Sequence, residues 1–137
     1  MPLPAPRPPG SFDSRLFLGS GALFGLLTVL LGALAAHLPE AAFAPNGRAL
    51  LRTQVEMQGW HLAALLATGL LIERQPGRGM ILLRLAGWCF LLGLCAFCAG
   101  LSALAFWGSA TLAHLAPVGG SVLMLGWLLL LLECLRR

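Results

Sequence analysis

The chain has 137 residues, of which 58% are hydrophobic and only 10% are charged. An average soluble domain is about 45–50% apolar and about 25% charged. The composition therefore excludes soluble enzymes and soluble binding modules, and the high apolar content also excludes intrinsic disorder. Because a helix that crosses a bilayer needs about 20 mostly apolar residues, the length predicts four membrane spans with short connections. The expected fold is all-α, an integral membrane four-helix antiparallel bundle.

The formal net charge is +4, and all nine basic residues are arginines. They stand one to three at a time at the ends of apolar runs, a placement typical of signals that orient a protein in the membrane. No basic patch is interleaved with aromatic residues as in single-strand binding proteins, so we expect no nucleic-acid partner. The first expected partner is the lipid bilayer.

The chain begins with a proline-rich segment, since five of the first ten residues are prolines. Proline removes a backbone donor and fixes φ, so we predict a disordered tail over residues 1–13. The run Leu16 to Ala36 carries no charge and forms the first predicted span. Its end, Ala33-Leu34-Ala35, resembles a signal-peptide cleavage site, but the run is longer than a typical signal sequence. We therefore interpret it as an uncleaved span.

Breaker residues separate the remaining predicted spans. Pro39, Pro45 and Asn46-Gly47 interrupt the chain after the first span, and a second helix is predicted to begin near Arg48. Its early turns are amphipathic, and it ends before the polar connector of residues 73–79. The single membrane domain of residues 14–137 is thus predicted to contain spans at about 16–36, 55–72, 85–106 and 117–132.

The arginines predict an orientation. With four spans, both termini and the second connection share one side of the membrane. That side holds seven arginines (two, three and two), whereas the other side holds Arg48 and Arg52. By the positive-inside rule, we expect the protein in a bacterial inner membrane with both termini on the cytoplasmic side. If the protein is mitochondrial, both termini face the matrix.

Small residues recur three or four positions apart within each predicted span. In lipid, helices associate through small residues that let backbones approach closely, so these residues predict close helix packing. A dimerisation seam is the alternative reading. On the packing interpretation, Gly25→Leu should loosen the bundle. The predicted packing positions are Gly21, Gly25, Gly32, Gly59, Ala63, Gly93, Gly100, Gly119, Gly120 and Gly126.

One face of the second span carries a polar stripe. Gln54, Gln58, His61 and Thr68 follow helical spacing, and polar side chains at membrane depth are candidates for function. Glu56 lies off this face.

Histidines are the only metal-ligand type with a plausible grouping. His37 ends the first span and His114 precedes the fourth, so we expect both to lie with His61 in the outer half of the membrane. The candidates for cofactor binding are His37, Gln58, His61 and His114. No two histidines stand four apart on one helix, so hydrogen bonding between helices is favoured, and we expect neither a metal nor a cofactor.

Catalytic signatures are missing from the sequence. Cys95 and Cys98 have CxxC spacing, but they fall in the middle of an apolar helix, where thiols behave as small hydrophobic groups. No nucleophile is paired with a base and no carboxylates are paired, so we expect a protein that is not an enzyme.

Three segments carry a family resemblance. Gly32-Ala-Leu-Ala-Ala-His37 resembles a Gly-Ala-Phe-Gly-Ala-His signature. Gln58-Gly-Trp-His61-Leu-Ala-Ala-Leu-Leu resembles Gln-x-x-His-Ala-Leu-Ala-Leu-Leu. Ala116-Pro-Val-Gly-Gly120, followed by Gly126-Trp127, resembles Pro-Ile-Gly-Gly followed by Gly-Trp. Together they are similar to the small inner-membrane family of YgdD type, which includes mitochondrial relatives called transmembrane protein 256. The resemblance covers nearly the whole chain and implies four spans and a domain of unknown function.

Three functional hypotheses remain. The leading one is a non-catalytic accessory or structural subunit, or an assembly factor, of a larger membrane complex. That complex would be a respiratory complex or another metalloenzyme. The first alternative is a protein that binds haem, quinone or metal through the outer histidines. The second alternative is a small transporter or lipid-handling protein whose mouth is the polar stripe.

Overall fold

The computed structural model describes residues 11–74 and 80–136. The predicted tail, except for its last three residues, and most of the predicted connector lie outside these ranges. Four long helices and two short elements make up the described chain. In order they are α1 (Phe12–His37), a 3-10 turn (Glu40–Ala42), α2 (Gly47–Arg74), α3 (Ile81–Trp107), α4 (Ala110–Ala113) and α5 (Leu115–Leu135).

The ends of α1 follow from local chemistry. Ser11 is the N-cap, and its side-chain oxygen accepts a hydrogen bond from the backbone N–H of Ser14 at 3.3 Å, which satisfies a donor that the first turn leaves free. At the other end Leu38 is extended, at ψ 145°, as expected for a residue that precedes proline. The helix therefore ends where Pro39 prevents its continuation.

Helix α2 is longer than the predicted span and begins at Gly47. Its first turns are amphipathic, with Leu51 and Gln54 buried and Arg52 exposed. The charged Arg52 therefore lies on the outer side of a continuous helix, whereas Leu51 and the polar Gln54 lie on the side that packs against the neighbouring helices.

A glycine ends α3. Gly108 adopts φ 63°, and its backbone N–H bonds back to Leu104 O at 3.1 Å. Only glycine takes this left-handed conformation without steric cost. The short α4 follows, and Pro117 lies in the first turn of α5, where proline removes no helical hydrogen bond.

Within the described residues, four helical segments are long and apolar enough to cross a membrane, namely Phe12–His37, Gly47–Arg74, Ile81–Trp107 and Ala110–Leu135. Helix α3 is central, since it packs along both α2 and α5, while α1 packs along α2. The predicted fold, an integral membrane four-helix antiparallel bundle, is confirmed.

The core follows this arrangement. One cluster of buried side chains fills the space between the long helices, and a smaller one lies at the end of the bundle near the 3-10 turn. The larger cluster includes Phe17, Phe24, Leu65, Ile72, Leu83, Phe90, Leu94 and Leu123, and the smaller one contains Ala35, Leu51 and Ala105.

Close backbone approach joins α3 to α5. A Cβ placed on Gly119 would collide with the backbone N of Phe97 and would lie 2.8 Å from the carbonyl oxygen of Gly93. A Cβ on Gly100 would lie 2.7 Å from the backbone N of Ala116. Because backbone atoms cannot move aside as a flexible side chain can, these positions require glycine at this separation of the helices.

Three of the predicted packing positions lie away from the neighbouring helices of the described chain. A Cβ on Gly25 or Gly59 would meet nothing within 4 Å, and Ala63 is exposed. Regular spacing places residues on one face of a helix but does not say whether a neighbour covers that face. Gly25→Leu is therefore expected to be tolerated, contrary to the expectation from sequence.

Other predicted packing positions do touch neighbouring helices, at different closeness. A Cβ on Gly21 would lie 2.6 Å from Leu66, and one on Gly126 would lie 2.9 Å from Phe90. At Gly32 and Gly120 the nearest atoms are 3.8 and 3.9 Å away, which is ordinary van der Waals contact and does not require glycine.

Candidate functional site

The polar stripe of α2 faces the interior of the bundle. Gln54 and Gln58 are each 1% exposed, Thr68 is 0% exposed and His61 is 6% exposed. These four residues, called the α2 polar stripe below, line the contact of α2 with α1 and α3. Burying polar groups in an apolar surrounding is costly unless they are hydrogen-bonded, so the partners of each group decide what the stripe can do.

Gln58 joins three helices. Its Nε2 donates to the carbonyl oxygen of Phe24 at 2.8 Å and to Thr28 Oγ1 at 2.9 Å, both on α1. Its Oε1 accepts from the thiol of Cys98 on α3 at 3.3 Å. Both amide hydrogens and the amide oxygen therefore have partners within the chain. Gln58, a candidate for cofactor binding, has no free donor to offer a ligand.

The two ends of the stripe, Gln54 and Thr68, also make hydrogen bonds. Ser102 Oγ on α3 donates to Gln54 Oε1 at 2.9 Å, and Thr68 Oγ1 donates to the carbonyl oxygen of Ala64 at 2.7 Å. The bond between Ser102 and Gln54 holds α3 against α2, whereas the bond of Thr68 lies within α2. Gln54 and Gln58 thus make contacts between helices of the bundle.

His61 differs from the rest of the stripe. Its Nδ1 lies 2.6 Å from the carbonyl oxygen of Met57. Its ring lies beside two aromatic rings, with centroid separations of 6.3 Å to Phe90 on α3 and 6.0 Å to Trp127 on α5. Within the described chain its Nε2 has no hydrogen-bond partner, so this ring nitrogen stays available beside the two aromatic rings.

The three histidines lie apart. His37 is the last residue of α1 and His114 separates α4 from α5, and both are exposed. His61 follows the start of α2 by about 20 Å of helix and lies near the middle of that helix. The residues described contain no group of three potential metal ligands.

The sequence did not predict the contacts of Arg48 with Ala35, Leu38 and Glu40, which are called the Arg48 clasp below. Arg48, read only as an orientation signal, donates through its guanidinium to the carbonyl oxygens of Ala35 and Leu38 and to Glu40 Oε2 at 2.7 Å. Its guanidinium carbon also lies 4.9 Å from the centroid of the Phe43 ring. Because the last carbonyls of a helix have no intrahelical partner, Arg48 caps the end of α1.

The same loop docks on the end of α3. The backbone N–H of Ala44 donates to the carbonyl oxygen of Ala105 at 2.9 Å, and the Phe43 and Phe106 rings stack with centroids 5.5 Å apart. Gly47 contacts the Ala105 backbone so closely that a Cβ would collide with it. The two phenylalanines were the available signal in the sequence, since each follows an alanine at the end of an apolar run.

A second missed feature is the outward face of α2, formed by Arg52, Glu56, Gly59, Ala63 and Ala67. All are exposed or partly exposed. Within the described chain, the carboxylate of Glu56 has no ion-pair or hydrogen-bond partner. The sequence placed Glu56 off the polar stripe but did not indicate which neighbour, if any, would cover it.

The cysteines lie on several sides of the bundle. All four are free, with Cys98 buried and Cys95 and Cys134 exposed. Cys98 serves the hydrogen bond to Gln58 described above, so the two members of the CxxC segment have different surroundings.

Comparison with known proteins places the chain in a family. A family model described as "Protein of unknown function (DUF423)" matches residues 31–120. A UPF0382 membrane protein of Haemophilus influenzae is 33% identical over 78% of this chain and 83% of its own length. The UPF0382 inner membrane protein YgdD of Escherichia coli is 29% identical over 90% of this chain and 92% of its own length. No solved structure matches.

The matched residues include the end of α1, the Arg48 clasp, the α2 polar stripe, all of α3 and the start of α5. The resemblance read from the three motifs is confirmed by these relatives. The chain is a membrane protein that belongs to the DUF423 family.

Proposed function

We propose that the chain is a non-catalytic subunit or assembly factor of a larger complex in the bacterial inner membrane, and that the outward face of α2 docks on a helix of a partner protein. The observation that carries this proposal is the position of Glu56. The inner-membrane location is supported by the name of the Escherichia coli relative.

Glu56 lies within a helix that is long and apolar enough to cross a membrane. It stands between Gln54, which bonds to Ser102, and Gln58, which bonds to Cys98. Because α3 ends at Trp107, Glu56 is level with a part of α3 that is roughly 8 to 14 Å inside that end. An ionisable side chain at such depth normally faces the protein interior or has a partner. An exposed Glu56 therefore favours a partner helix that supplies a cation or a hydrogen-bond donor.

The residues below Glu56 suit a docking helix. Gly59, Ala63 and Ala67 recur every four positions, are small, and are exposed or partly exposed. Small residues at this spacing let another helix approach closely in lipid. Leu26, Val29 and Leu30 on α1 give that helix a bulky surface instead, so α2 is the better docking face.

The orientation belongs to the same proposal. The arginine distribution supports cytoplasmic termini, which would place Arg48, Arg52 and the clasp on the periplasmic side. A reporter fused after Arg137 should then behave as cytoplasmic, and periplasmic behaviour would reverse the assigned sides.

The docking face can be tested by photo-crosslinking in native membranes. A benzoylphenylalanine replaces Ala63 on the proposed face, and in a matched sample it replaces Val29 on the leucine-rich face of α1. We expect Ala63 to crosslink to one defined partner protein, identified by mass spectrometry, and Val29 to give only diffuse lipid and protein products. Equal crosslinking from both positions would contradict a specific docking face.

A substitution gives a second measurement. Gly59→Leu should remove the chain from its complex on a native gel, because a leucine would stand between α2 and the partner helix. The isolated protein should stay folded, since nothing lies within 4 Å of a Cβ at this position. Gly25→Leu is the matched control and should leave the complex intact. If wild-type protein migrates only as a free small protein, the subunit proposal is wrong.

A further inference from the structure

The hydrogen bond of His61 fixes the position of its proton. Nδ1 lies 2.6 Å from the carbonyl oxygen of Met57, and a carbonyl oxygen can only accept. Nδ1 therefore carries the hydrogen, and the neutral ring keeps a lone pair on Nε2. No described residue donates to that lone pair, although the side chain is 6% exposed and lies near the middle of α2.

Nε2 can be reached from outside the bundle. Every side-chain nitrogen or oxygen that is fully enclosed in the described structure has a hydrogen-bond partner. Because Nε2 has no partner, it is not fully enclosed. Trp127, beside it, is 45% exposed. Helices α2 and α5 do not pack along each other, and this pair of rings marks where they meet. A molecule dissolved in the hydrocarbon layer can therefore approach His61 past Trp127.

The surroundings of Nε2 define the ligand. An acceptor in an apolar medium gains most from a ligand that brings its own donor. Trp127 stands edge to face against the buried Phe90 at 5.2 Å, and its exposed part can make a similar contact with a further flat ring. The ligand must also dissolve in hydrocarbon at the depth of the middle of α2.

We propose that His61 and Trp127 bind the head group of a lipid-soluble hydroquinone, whose phenolic O–H donates to His61 Nε2, while the buried Phe90 supports both rings from behind. The oxidised quinone has carbonyl oxygens only and cannot donate to this lone pair, so the site distinguishes the reduced from the oxidised form. His37 and His114 take no part. The site lies on another side of α2 than the docking face, so either proposal can fail without the other.

The test uses the full chain in nanodiscs of phosphatidylethanolamine and phosphatidylglycerol, with Trp127 as the only tryptophan after Trp60→Phe, Trp88→Phe and Trp107→Phe. The probes are a decyl hydroquinone kept under argon, its dimethyl ether and decanol. Quenching of Trp127 gives a dissociation constant for the hydroquinone and the ether, and competition against the hydroquinone gives one for decanol. We expect the hydroquinone to bind about tenfold more tightly than the ether, the upper range for one neutral hydrogen bond.

Two variants locate the acceptor. His61→Phe keeps an aromatic ring beside Phe90 and Trp127 but removes Nε2, and should reduce the preference for hydroquinone over ether to about one. His114→Phe is the matched control and should leave the preference unchanged. Equal binding of hydroquinone and ether to the parent protein overturns the proposal, whether or not His61→Phe folds. Decanol binding as tightly as the hydroquinone overturns the aromatic part of the site.

Discussion

Replacing Gly119 by leucine should separate α5 from α3. A Cβ at this position meets the backbone of Phe97 and lies 2.8 Å from the carbonyl oxygen of Gly93, and neither can rotate away. Overpacking a core ordinarily costs about 1–3 kcal/mol, and an obstruction by backbone falls at the upper end of that range or above it. The expected result is a large fall in the thermal unfolding temperature in detergent.

The neighbouring glycine provides the control. Gly120→Leu adds the same side chain to the same turn of α5, but its Cβ would lie 3.9 Å from the Phe97 ring, which is ordinary contact. We expect Gly120→Leu to change the unfolding temperature little. The aromatic contact between Phe90 and Trp127 offers a local readout, since tryptophan emission should change on heating at a lower temperature for Gly119→Leu. Equal destabilisation by both variants would show that helix propensity, not backbone approach, sets the cost.

These two glycines illustrate what the sequence could and could not predict about the fold. Four apolar runs long enough to cross a bilayer sufficed to predict the helices and their number, because the thickness of the bilayer sets the length of a span and lipid requires its backbone to be helical. The spacing of small residues marked Gly119 and Gly120 alike. Only the relative rotation of α3 and α5 separates them, and that rotation depends on contacts between distant parts of the chain.

The candidate site shows the same limit. The polar stripe was visible from helical spacing, because periodicity depends on one helix alone. The pairing of Gln58 with Thr28 and Cys98, and the unpaired Nε2 of His61, required knowledge of which helices face α2. The separation of the three histidines also depends on how the helices pack, since His61 lies near the middle of α2 whereas His37 and His114 lie at helix ends.

Replacing Arg48 by alanine should lower the stability of the bundle. Arg48→Ala removes charge-assisted hydrogen bonds to the carbonyl oxygens of Ala35 and Leu38, and leaves the end of α1 uncapped. A hydrogen bond to a charged group contributes about 1.5–3 kcal/mol, whereas the ion pair with Glu40, which is 72% exposed, contributes about 1 kcal/mol or less. We expect unfolding in detergent to show a loss of about 2–4 kcal/mol, mainly from the two carbonyl contacts.

Arg52→Ala is the matched control, because it removes an arginine from the same side of the membrane and so affects orientation equally. Arg52 is exposed, and surface substitutions usually change stability by about 0.5 kcal/mol or less. Arg48→Lys keeps the charge but replaces the planar guanidinium by a single ammonium, and should fall between wild type and Arg48→Ala. Glu40→Ala should cost little. If Glu40→Ala and Arg48→Ala destabilise equally, the clasp depends on the ion pair and the capping assigned to Arg48 is wrong.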